Sequence, residues 1–369
     1  MLIYSFRASY PNFDLISSVD FYLGDVGKNY NHYKSIGFLK KMPEKAIFIY
    51  RIHAHGKVYN GVVAANDLED IKKKNILGHE HTILEKEQEM LSKMLLRKAM
   101  IKPVLLGYHP TEEVLNFIND FTSIHSPIIQ LQPNNLKEKH LIWAITERKE
   151  IEEFKSLFRE HIKVAYIADG HHRSKVTTNL LEKSFLQDED GTKHPALLSA
   201  FFPMDELSIY EFNRVVEVPE HLTLVNFIVR CSAIFEILPL KEAKKPQSKY
   251  HIHLYMDHCW YELKWKDQVL DKYRMQPVIL DVDIFNHEVL ESILDVEDIK
   301  TASTVMYVPG HLGLNALVDQ CKHRKIIAFS FFPVQNQDVV KISENGDVLP
   351  PKSTWFEPRM HNGVLIKEF

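Results

Sequence analysis

Apolar and polar positions along the chain alternate in some segments and recur at helical spacing in others. The runs 46–52 and 58–65 are typical of strands, and Gly56 between them suits a hairpin loop. The same reasoning predicts further strands at 103–108, 141–146, 164–168, 196–203, 208–218, 250–256, 259–265, 303–308 and 325–332. It predicts helices at 83–100, 147–161, 174–185, 220–236, 283–294 and 312–322. This mixture of hairpins and crossover helices predicts an α/β fold of mixed α+β type, with mixed sheets and helices.

Two polar residues match the pattern of helix N-caps. Asn66, with Glu69 three residues later, predicts the start of a short helix after the strand 58–65. Thr82 with Glu85 predicts a capping box for the helix at 83–100.

The segment Asp169-Gly170-His171-His172-Arg173 follows the buried strand 164–168 and precedes the helix that begins at Ser174. In α/β proteins such a turn is a common ligand site, because free backbone N–H groups and the helix dipole attract anions there. The alternative is an ordinary helix start with solvated histidines, but five polar or special residues in a row favour a functional site.

Each member of this segment has a chemical use. Arg173 can grip a phosphate or carboxylate through two parallel hydrogen bonds, and Gly170 allows close approach of the backbone to a ligand. His171 and His172 can donate hydrogen bonds or move protons near neutral pH. Asp169 can accept a proton or hold a metal ion such as Mg²⁺.

A second candidate is His79-Glu80-His81-Thr82, in the turn before the helix at 83–100. Glu80 beside a histidine suits a general base with an orienting partner. The alternative is a capped helix start with solvated histidines. The spacing excludes a zinc motif of the His-Glu-x-x-His type.

A third candidate is Lys352-Ser353-Thr354, within the proline-bounded segment 350–358. Lys-Ser-Thr resembles the end of a phosphate-binding loop, but the preceding glycine-rich portion is missing. From local sequence alone, a rigid tail is the competing interpretation.

Composition narrows the class of protein. The 369 residues carry a net charge of −4, with no basic stripe of the kind that binds nucleic acid. Cys231, Cys259 and Cys321 are far apart and odd in number, which suits a reducing compartment. No signal peptide or apolar stretch of membrane-spanning length is present. We therefore expect a cytoplasmic protein without nucleic-acid or membrane partners, and a homodimer is one candidate state.

The sequence marks no sharp domain boundary. We predict an N-terminal α/β region at 1–145 and a second region at 146–369 that carries the Asp169 turn and the Lys352 segment. One composite domain is the alternative.

These motifs together resemble a bacterial and archaeal family described as domain of unknown function DUF1015. Its Ala-Asp-Gly-His-His-Arg signature is matched by 168–173, its His-Glu-x-Thr segment by 79–82, and its Pro-x-Lys-Ser-Thr-aromatic-Phe-x-Pro stretch by 350–358. The matches occur in family order over nearly the whole chain. Gly78 and Ser174 depart from the family, which commonly has Arg and Tyr at those places.

The Asp-Gly-His-His-Arg turn also resembles the phosphate-binding turn of the ParB and sulfiredoxin superfamily, which includes archaeal free-serine kinases. Genes of the DUF1015 family often lie beside those of the phosphorylated serine pathway. The resemblance implies a ParB/sulfiredoxin-like element and a kinase for a small hydroxyl metabolite, free L-serine being one candidate. It implies ATP or ADP as cofactor, with Mg²⁺.

Under this hypothesis the site residues divide into three groups. Phosphate-binding residues are Gly170, Arg173, Ser174, Lys352, Ser353 and Thr354. Catalytic candidates are Glu80, Asp169, His171 and His172, and Asp169 is the candidate Mg²⁺ ligand. A nucleotide-binding regulatory protein and a metal-dependent hydrolase remain the alternatives.

Overall fold

The computed structural model describes residues 1–134, 137–183, 196–299, 302–323 and 325–369, and these form strands and helices in similar measure. The strands are β1 (Ile3–Tyr4), β2 (Ala8–Pro11), β3 (Leu39–Lys41), β4 (Ile47–Ala54), β5 (Lys57–Asp67), β6 (Ile76–Leu77), β7 (Ala99–Met100), β8 (Val104–Tyr108), β9 (Ile129–Leu131), β10 (Glu138–Ile145), β11 (Ala165–Asp169), β12 (Ala196–Pro203), β13 (Ser208–Glu217), β14 (Phe235–Leu240), β15 (His251–Met256), β16 (Cys259–Trp265), β17 (Val305–Pro309), β18 (Ile326–Phe331), β19 (Thr354–Glu357) and β20 (Ile366–Glu368).

The helices complete a mixed α/β fold, as predicted. They are α1 (Val19–Ser35), α2 (Glu69–Lys72), α3 (Leu84–Arg97), α4 (Glu112–Ile124), α5 (Arg148–His161), α6 (His171–Lys183), α7 (Leu224–Ile234), α8 (Asp267–Leu270), α9 (Asp281–Phe285), α10 (Gly313–Val318) and α11 (Asn336–Asn345). Among the described residues, none of these helices is long and apolar enough to cross a membrane.

The predicted hairpin is confirmed in β4 and β5, which pair in antiparallel register from Phe48 to the turn. The turn is the pair His55 and Gly56, both with positive φ, at 52° and 76°. Two consecutive residues with positive φ suit the right-handed twist of the flanking strands.

Both predicted N-caps are wrong. β5 continues through Asp67, and the Asn66 amide instead donates hydrogen bonds to the Leu2 carbonyl and the Asp70 carboxylate, each at 3.0 Å. Helix α3 begins two residues after Thr82, at Leu84, and no side chain caps it. In both places a tertiary contact replaces the local capping interaction that the sequence predicts.

The helix predicted at 174–185 begins earlier, at His171, because the Gly170 carbonyl already accepts the Ser174 N–H. It is described as far as Lys183, and the predicted end at Phe185 lies outside the described residues. Helix α3 ends at Arg97 instead of 100, because Lys98 adopts a left-handed conformation and the chain then enters β7.

Contacts divide the chain into two units. Unit 1 comprises Met1–Ser208 and Pro358–Phe369, and unit 2 comprises Ile209–Glu357. The domain boundary predicted after residue 145 falls within unit 1, between β10 and α5, and stays a prediction.

Unit 1 contains a nine-stranded sheet with the order β6-β11-β8-β12-β5-β4-β10-β9, in which β1 pairs with β5. A separate four-stranded sheet has the order β3-β2-β20-β7. Phe158 of α5 is fully buried and packs its ring 5.0 Å from Phe201 and 6.0 Å from Tyr108. Burying one such side chain stabilises the fold by roughly 1.5–3 kcal/mol.

Unit 2 contains a seven-stranded sheet with the order β14-β16-β15-β18-β13-β17, in which β19 pairs with β13. The five strands predicted between 208 and 332 agree with β13, β15, β16, β17 and β18 to within about two residues. The strand β14 was not predicted, and the helix predicted at 220–236 ends at Ile234 instead. Its buried side chains include Trp265, Phe329 and Arg214.

Candidate active site

Two polar loops of unit 1 lie side by side because of one parallel strand pair. β6 and β11 pair in parallel, with Ala165 opposite Ile76 and Tyr166 opposite Leu77. Adjacent parallel strands end at the same edge of a sheet, so the loop after β6 and the turn after β11 meet there. The register of β11 against β8 also shifts between Ile167 and Asp169, an irregularity that re-aims side chains at a strand end.

A pocket of about 480 Å³ opens at this edge. Its lining residues belong to unit 1 and include Glu80 and the run Asp169–Arg173. The remaining lining residues are Gly27, Lys86, Glu89, Met90, Lys93, Met94, Arg97, Ala99, Met100, Ile101, Lys102, Thr177 and Asn362.

Three cations surround the Asp169 carboxylate. Arg173 Nη2 lies 2.8 Å from Oδ2, Lys102 Nζ lies 3.4 Å from the same oxygen, and Arg359 Nη1 lies 3.3 Å from Oδ1. Burial alone would raise the pKa of Asp169, but the charges of Arg173, Lys102 and Arg359 outweigh it and hold that pKa far below its ordinary range. Burial lowers the pKa of Lys102, against the attraction of Asp169. Three cations and one carboxylate leave this group with a net charge of +2.

Gly170 shapes the start of α6. Its φ is +107°, a conformation that residues with a side chain rarely adopt. A Cβ at this position would lie 2.6 Å from Arg173 Nη2, because the guanidinium folds back over the glycine. The first N–H groups of α6 have no partner within the helix and therefore add to the anion-attracting end of its dipole. Arg173 Nε, which is buried, has no hydrogen-bond partner among the described residues.

The two histidines of this turn hold the neighbouring loop by its backbone. The His79 N–H donates to His171 Nε2 at 3.2 Å, and the Ile83 N–H donates to His172 Nε2 at 3.0 Å. Because a backbone N–H can only donate, both Nε2 atoms are acceptors, and in the neutral rings the proton is on Nδ1. Burial lowers the pKa of His172, which favours this neutral form.

Glu80 is the carboxylate that this arrangement orients. His171 Nδ1 lies 3.3 Å from Glu80 Oε2; the His171 side chain is 5% exposed, whereas that of Glu80 is 38% exposed. Burial acts to raise the pKa of Glu80, but the hydrogen bond from His171 lowers it overall. Glu80 is therefore ionised at neutral pH and accessible from the pocket, whereas His171 is enclosed.

His79, in the same loop as Glu80, packs against His171. It is fully buried, and its ring packs edge-on against His171, with centroids 4.6 Å apart. Burial lowers its pKa to about 3, so His79 stays neutral.

One face of α3 adds a rim of positive charge and an apolar wall. Lys86, Lys93 and Arg97 recur at helical spacing and line the pocket. Met90 and Met94 lie between them on the same face and give a soft apolar surface. With Lys102 and Arg173, the lining has five cationic side chains against three carboxylates, of Glu80, Glu89 and Asp169, so the pocket is positively charged.

The remaining predicted phosphate ligands are not among the described residues that line this pocket. Ser174 is buried in the first turn of α6, outside the set that lines the pocket. Lys352, Ser353 and Thr354 belong to unit 2, where Lys352 Nζ lies 5.2 Å from the Phe212 ring centroid. The Ser353 hydroxyl donates to the Pro350 carbonyl at 2.7 Å, and Thr354 is buried at the start of β19. Their role in binding phosphate stays a prediction.

The prediction that Asp169 binds Mg²⁺ must account for the cations that already contact its carboxylate. Both oxygens of Asp169 are in contact with cationic side chains, so Mg²⁺ would have to displace at least one of them. Ligand atoms of His79, Glu80 and His171 lie within 4.8 Å of one another, but both nitrogens of His171 already face other groups. Asp169 as a magnesium ligand stays a prediction.

Sequence reasoning did not select Lys102 and Arg359 as site residues. Lys102 follows the two-residue strand β7, and Arg359 follows the proline that ends the Lys-Ser-Thr segment. The proline at the end of that family-matched stretch is the one signal that could have indicated Arg359. Lys102 belongs to no motif that the local sequence identifies.

The family model for "Protein of unknown function (DUF1015)" matches residues 9–285, about three quarters of the chain. No curated protein sequence matches. Among solved structures, a free serine kinase mutant in complex with ADP is 12% identical over 82% of this chain and 92% of that one, with a TM-score of 0.40. A conserved hypothetical protein from Pyrococcus furiosus is 12% identical over 82% and 95% of the two chains, with a TM-score of 0.39.

A third solved structure, SbnI with C-terminal truncation from Staphylococcus aureus, is 11% identical over 81% of this chain and 85% of that one, with a TM-score of 0.41. Likeness at this level does not carry an activity from one protein to another. The family match confirms the assignment predicted from the sequence motifs: the chain belongs to the DUF1015 family of proteins of unknown function.

Proposed function

We propose that unit 1 is a nucleotide-dependent phosphotransferase that acts on a small hydroxyl metabolite, with free L-serine as one candidate acceptor. One observation carries the proposal. His171 orients Glu80, a carboxylate that lines the pocket. Arg173, in the same turn as His171, belongs to the cluster of cations around Asp169. Phosphoryl transfer depends on this combination of positioning and charge neutralisation.

The cation cluster supplies the phosphate-binding half of the site. Arg173 can offer paired donors to a phosphate, and Lys102 and Arg359 hold positive charge beside it. The volume of about 480 Å³ lies in the roughly 300–1,000 Å³ range of small-molecule pockets. The methionine wall on α3 offers an apolar surface for a nucleobase.

Glu80 supplies the other half. The acceptor hydroxyl oxygen would attack the terminal phosphorus of ATP or ADP while the bond from that phosphorus to the leaving nucleotide oxygen breaks. The hydroxyl proton would pass to the Glu80 carboxylate, which His171 orients. Asp169 would then be a positioning residue, because its oxygens already contact cations. The donor phosphates would bring Mg²⁺, which would neutralise part of their charge.

A nucleotide-binding regulatory protein is the second candidate, and one observation favours it. The lowered pKa of Glu80 makes it a weaker proton acceptor than an ordinary glutamate. In that case the pocket would bind nucleotide without turnover.

The test is a product screen. The purified protein is incubated with ATP or ADP, Mg²⁺ and a pool of hydroxy metabolites that includes L-serine, and new phosphate esters are sought by mass spectrometry. The proposal expects one new ester with matching loss of nucleotide phosphate. Tight nucleotide binding without any ester supports the regulatory protein, and the absence of both rejects the phosphate pocket.

A further inference from the structure

A second cluster of metal-ligating side chains lies in unit 1 and takes no part in the proposed reaction. Glu138 and His140 are two residues apart on β10, so their side chains point to the same face of the strand. His361, in the C-terminal segment of unit 1, joins them from a distant part of the chain. Glu138 Oε2 lies 3.2 Å from His140 Nε2 and 3.0 Å from His361 Nε2.

The donor set and its spacing fit a zinc ion. Two histidines and one glutamate are a known set of protein ligands for zinc, with a fourth position left to water. Ligand atoms at bond lengths of about 2.0–2.1 Å in a tetrahedron lie roughly 3.3–3.4 Å apart. The observed separations of 3.0 and 3.2 Å are close to that edge, and the three ligand atoms all lie within 4.8 Å of one another.

A further residue orients one of the ligands. The Tyr50 hydroxyl lies 3.0 Å from His140 Nδ1, and both side chains are fully buried. This contact fixes the ring so that its Nε2 faces Glu138. Histidine ligands of metals usually have such a partner on the other ring nitrogen, which fixes tautomer and orientation.

The three side chains of the cluster differ in exposure, and the more exposed side gives a metal ion access to them. The side chain of His140 is 0% exposed, that of Glu138 is 12% exposed and that of His361 is 19% exposed. A metal ion could therefore arrive from the side of His361 and keep a water molecule there.

We propose that Glu138, His140 and His361 bind a divalent transition-metal ion, with zinc as the best match. Such an ion would fasten the C-terminal segment to the sheet. That segment also contributes Arg359 to the cations around Asp169 and Asn362 to the pocket lining. The metal ion would therefore hold the C-terminal segment in place, independently of the reaction that the pocket performs.

The competing arrangement is a metal-free hydrogen-bond network, in which each histidine donates an N–H hydrogen bond to the Glu138 carboxylate. Both arrangements satisfy the same atoms, but only one binds zinc with defined stoichiometry. A direct binding measurement therefore separates them.

The experiment uses the full-length protein, stripped with a chelator and dialysed. Zinc is titrated in competition with a chromophoric chelator, for wild type, His361→Gln, Glu138→Gln, Tyr50→Phe and Glu80→Gln. His161→Gln is the matched control, because His161 lies 3.4 Å from Glu113 in a His–Glu pair. Circular dichroism checks folding of each variant, and the visible spectrum of Co²⁺ substituted for zinc reports tetrahedral coordination.

Wild type and His161→Gln should bind one equivalent of zinc with the same affinity. His361→Gln and Glu138→Gln should weaken binding at least about 100-fold, and Tyr50→Phe should weaken it roughly 10- to 100-fold. If wild type takes up no zinc, or folded His361→Gln binds it as wild type does, the proposal is overturned. Loss of the equivalent in Glu80→Gln, with retention in His361→Gln, would also overturn it by placing the ion at His79, Glu80 and His171.

Discussion

Removal of the Asp169 carboxylate should lower the stability of unit 1. Asp169→Asn keeps the size of the side chain but removes the charge that contacts Arg173, Lys102 and Arg359 at 2.8–3.4 Å. The variant leaves the three cations close together without the carboxylate charge that contacts all of them. Their mutual repulsion then opposes folding.

The magnitude follows from burial. Breaking a fully buried ion pair costs about 3–5 kcal/mol, whereas exposed pairs contribute about 0–1 kcal/mol. The side chains of Asp169, Arg173, Lys102 and Arg359 are 19–30% exposed, which places the expected loss between these limits. We expect the free energy of unfolding to fall by about 2–4 kcal/mol.

The pH dependence gives a second test of the same reasoning. The pKa of Asp169 is depressed in the folded protein, so its contribution to stability is fully present above the ordinary aspartate pKa of about 4 and is lost only as pH falls through the lower folded value. The difference in unfolding free energy between wild type and Asp169→Asn should therefore be constant between about pH 5 and 8. It should shrink only at lower pH.

Urea unfolding of both proteins at several pH values measures this difference. Asp120→Asn is the matched control, because Asp120 is exposed on α4 and should change stability by less than about 0.5 kcal/mol. Unchanged or increased stability in Asp169→Asn would refute the view that the carboxylate holds the cations together. A difference that has already disappeared at pH 5 would refute the depressed pKa.

Three further predictions address the pocket and unit 2. Arg173→Ala should weaken binding of ADP by about 2–4 kcal/mol in calorimetry, whereas Lys175→Ala, exposed on the same helix, should leave it unchanged; equal affinities in the two variants would remove Arg173 from the phosphate site. His171→Gln should lower turnover more than nucleotide affinity, because it releases Glu80, and an equal fall in both would contradict a positioning role. Burial raises the pKa of Asp281 to about 7, so the unfolding free energy should fall as pH rises from about 4 to 7. Urea unfolding of Asp281→Asn should lack this pH dependence. If the dependence persists in the variant, it belongs to another group.

Much of the fold could be predicted because its longer elements have clear periodicity. β16 was predicted at its observed bounds and α5 to within one residue, since apolar spacing and flanking polar residues mark both. The caps at Asn66 and Thr82 failed where tertiary hydrogen bonds formed, from the Asn66 amide to the Leu2 carbonyl and from the Ile83 N–H to His172. Short strands such as β6, of two residues, have no period to detect.

The candidate site was only partly predictable for the same reason. Glu80 and the Asp169–Arg173 turn were selected from sequence, and the structure shows that they meet because β6 pairs with β11. No local pattern could predict that pairing. Lys102 and Arg359 reach the pocket region from β7 and the C-terminal segment, so only the three-dimensional fold identifies them as partners of Asp169.

The most direct test of the proposed function is Glu80→Gln, which keeps size and hydrogen bonding but removes the basic carboxylate. A positioned general base contributes about 10²–10⁴-fold to rate, so turnover of the identified acceptor should fall by an amount in that range. Nucleotide affinity should change little, because Arg173, Lys102 and Arg359 remain in place. Glu85→Gln, exposed in the first turn of α3, is the matched control and should behave as wild type. Turnover that survives Glu80→Gln at the wild-type rate would contradict the assignment of Glu80 as the base.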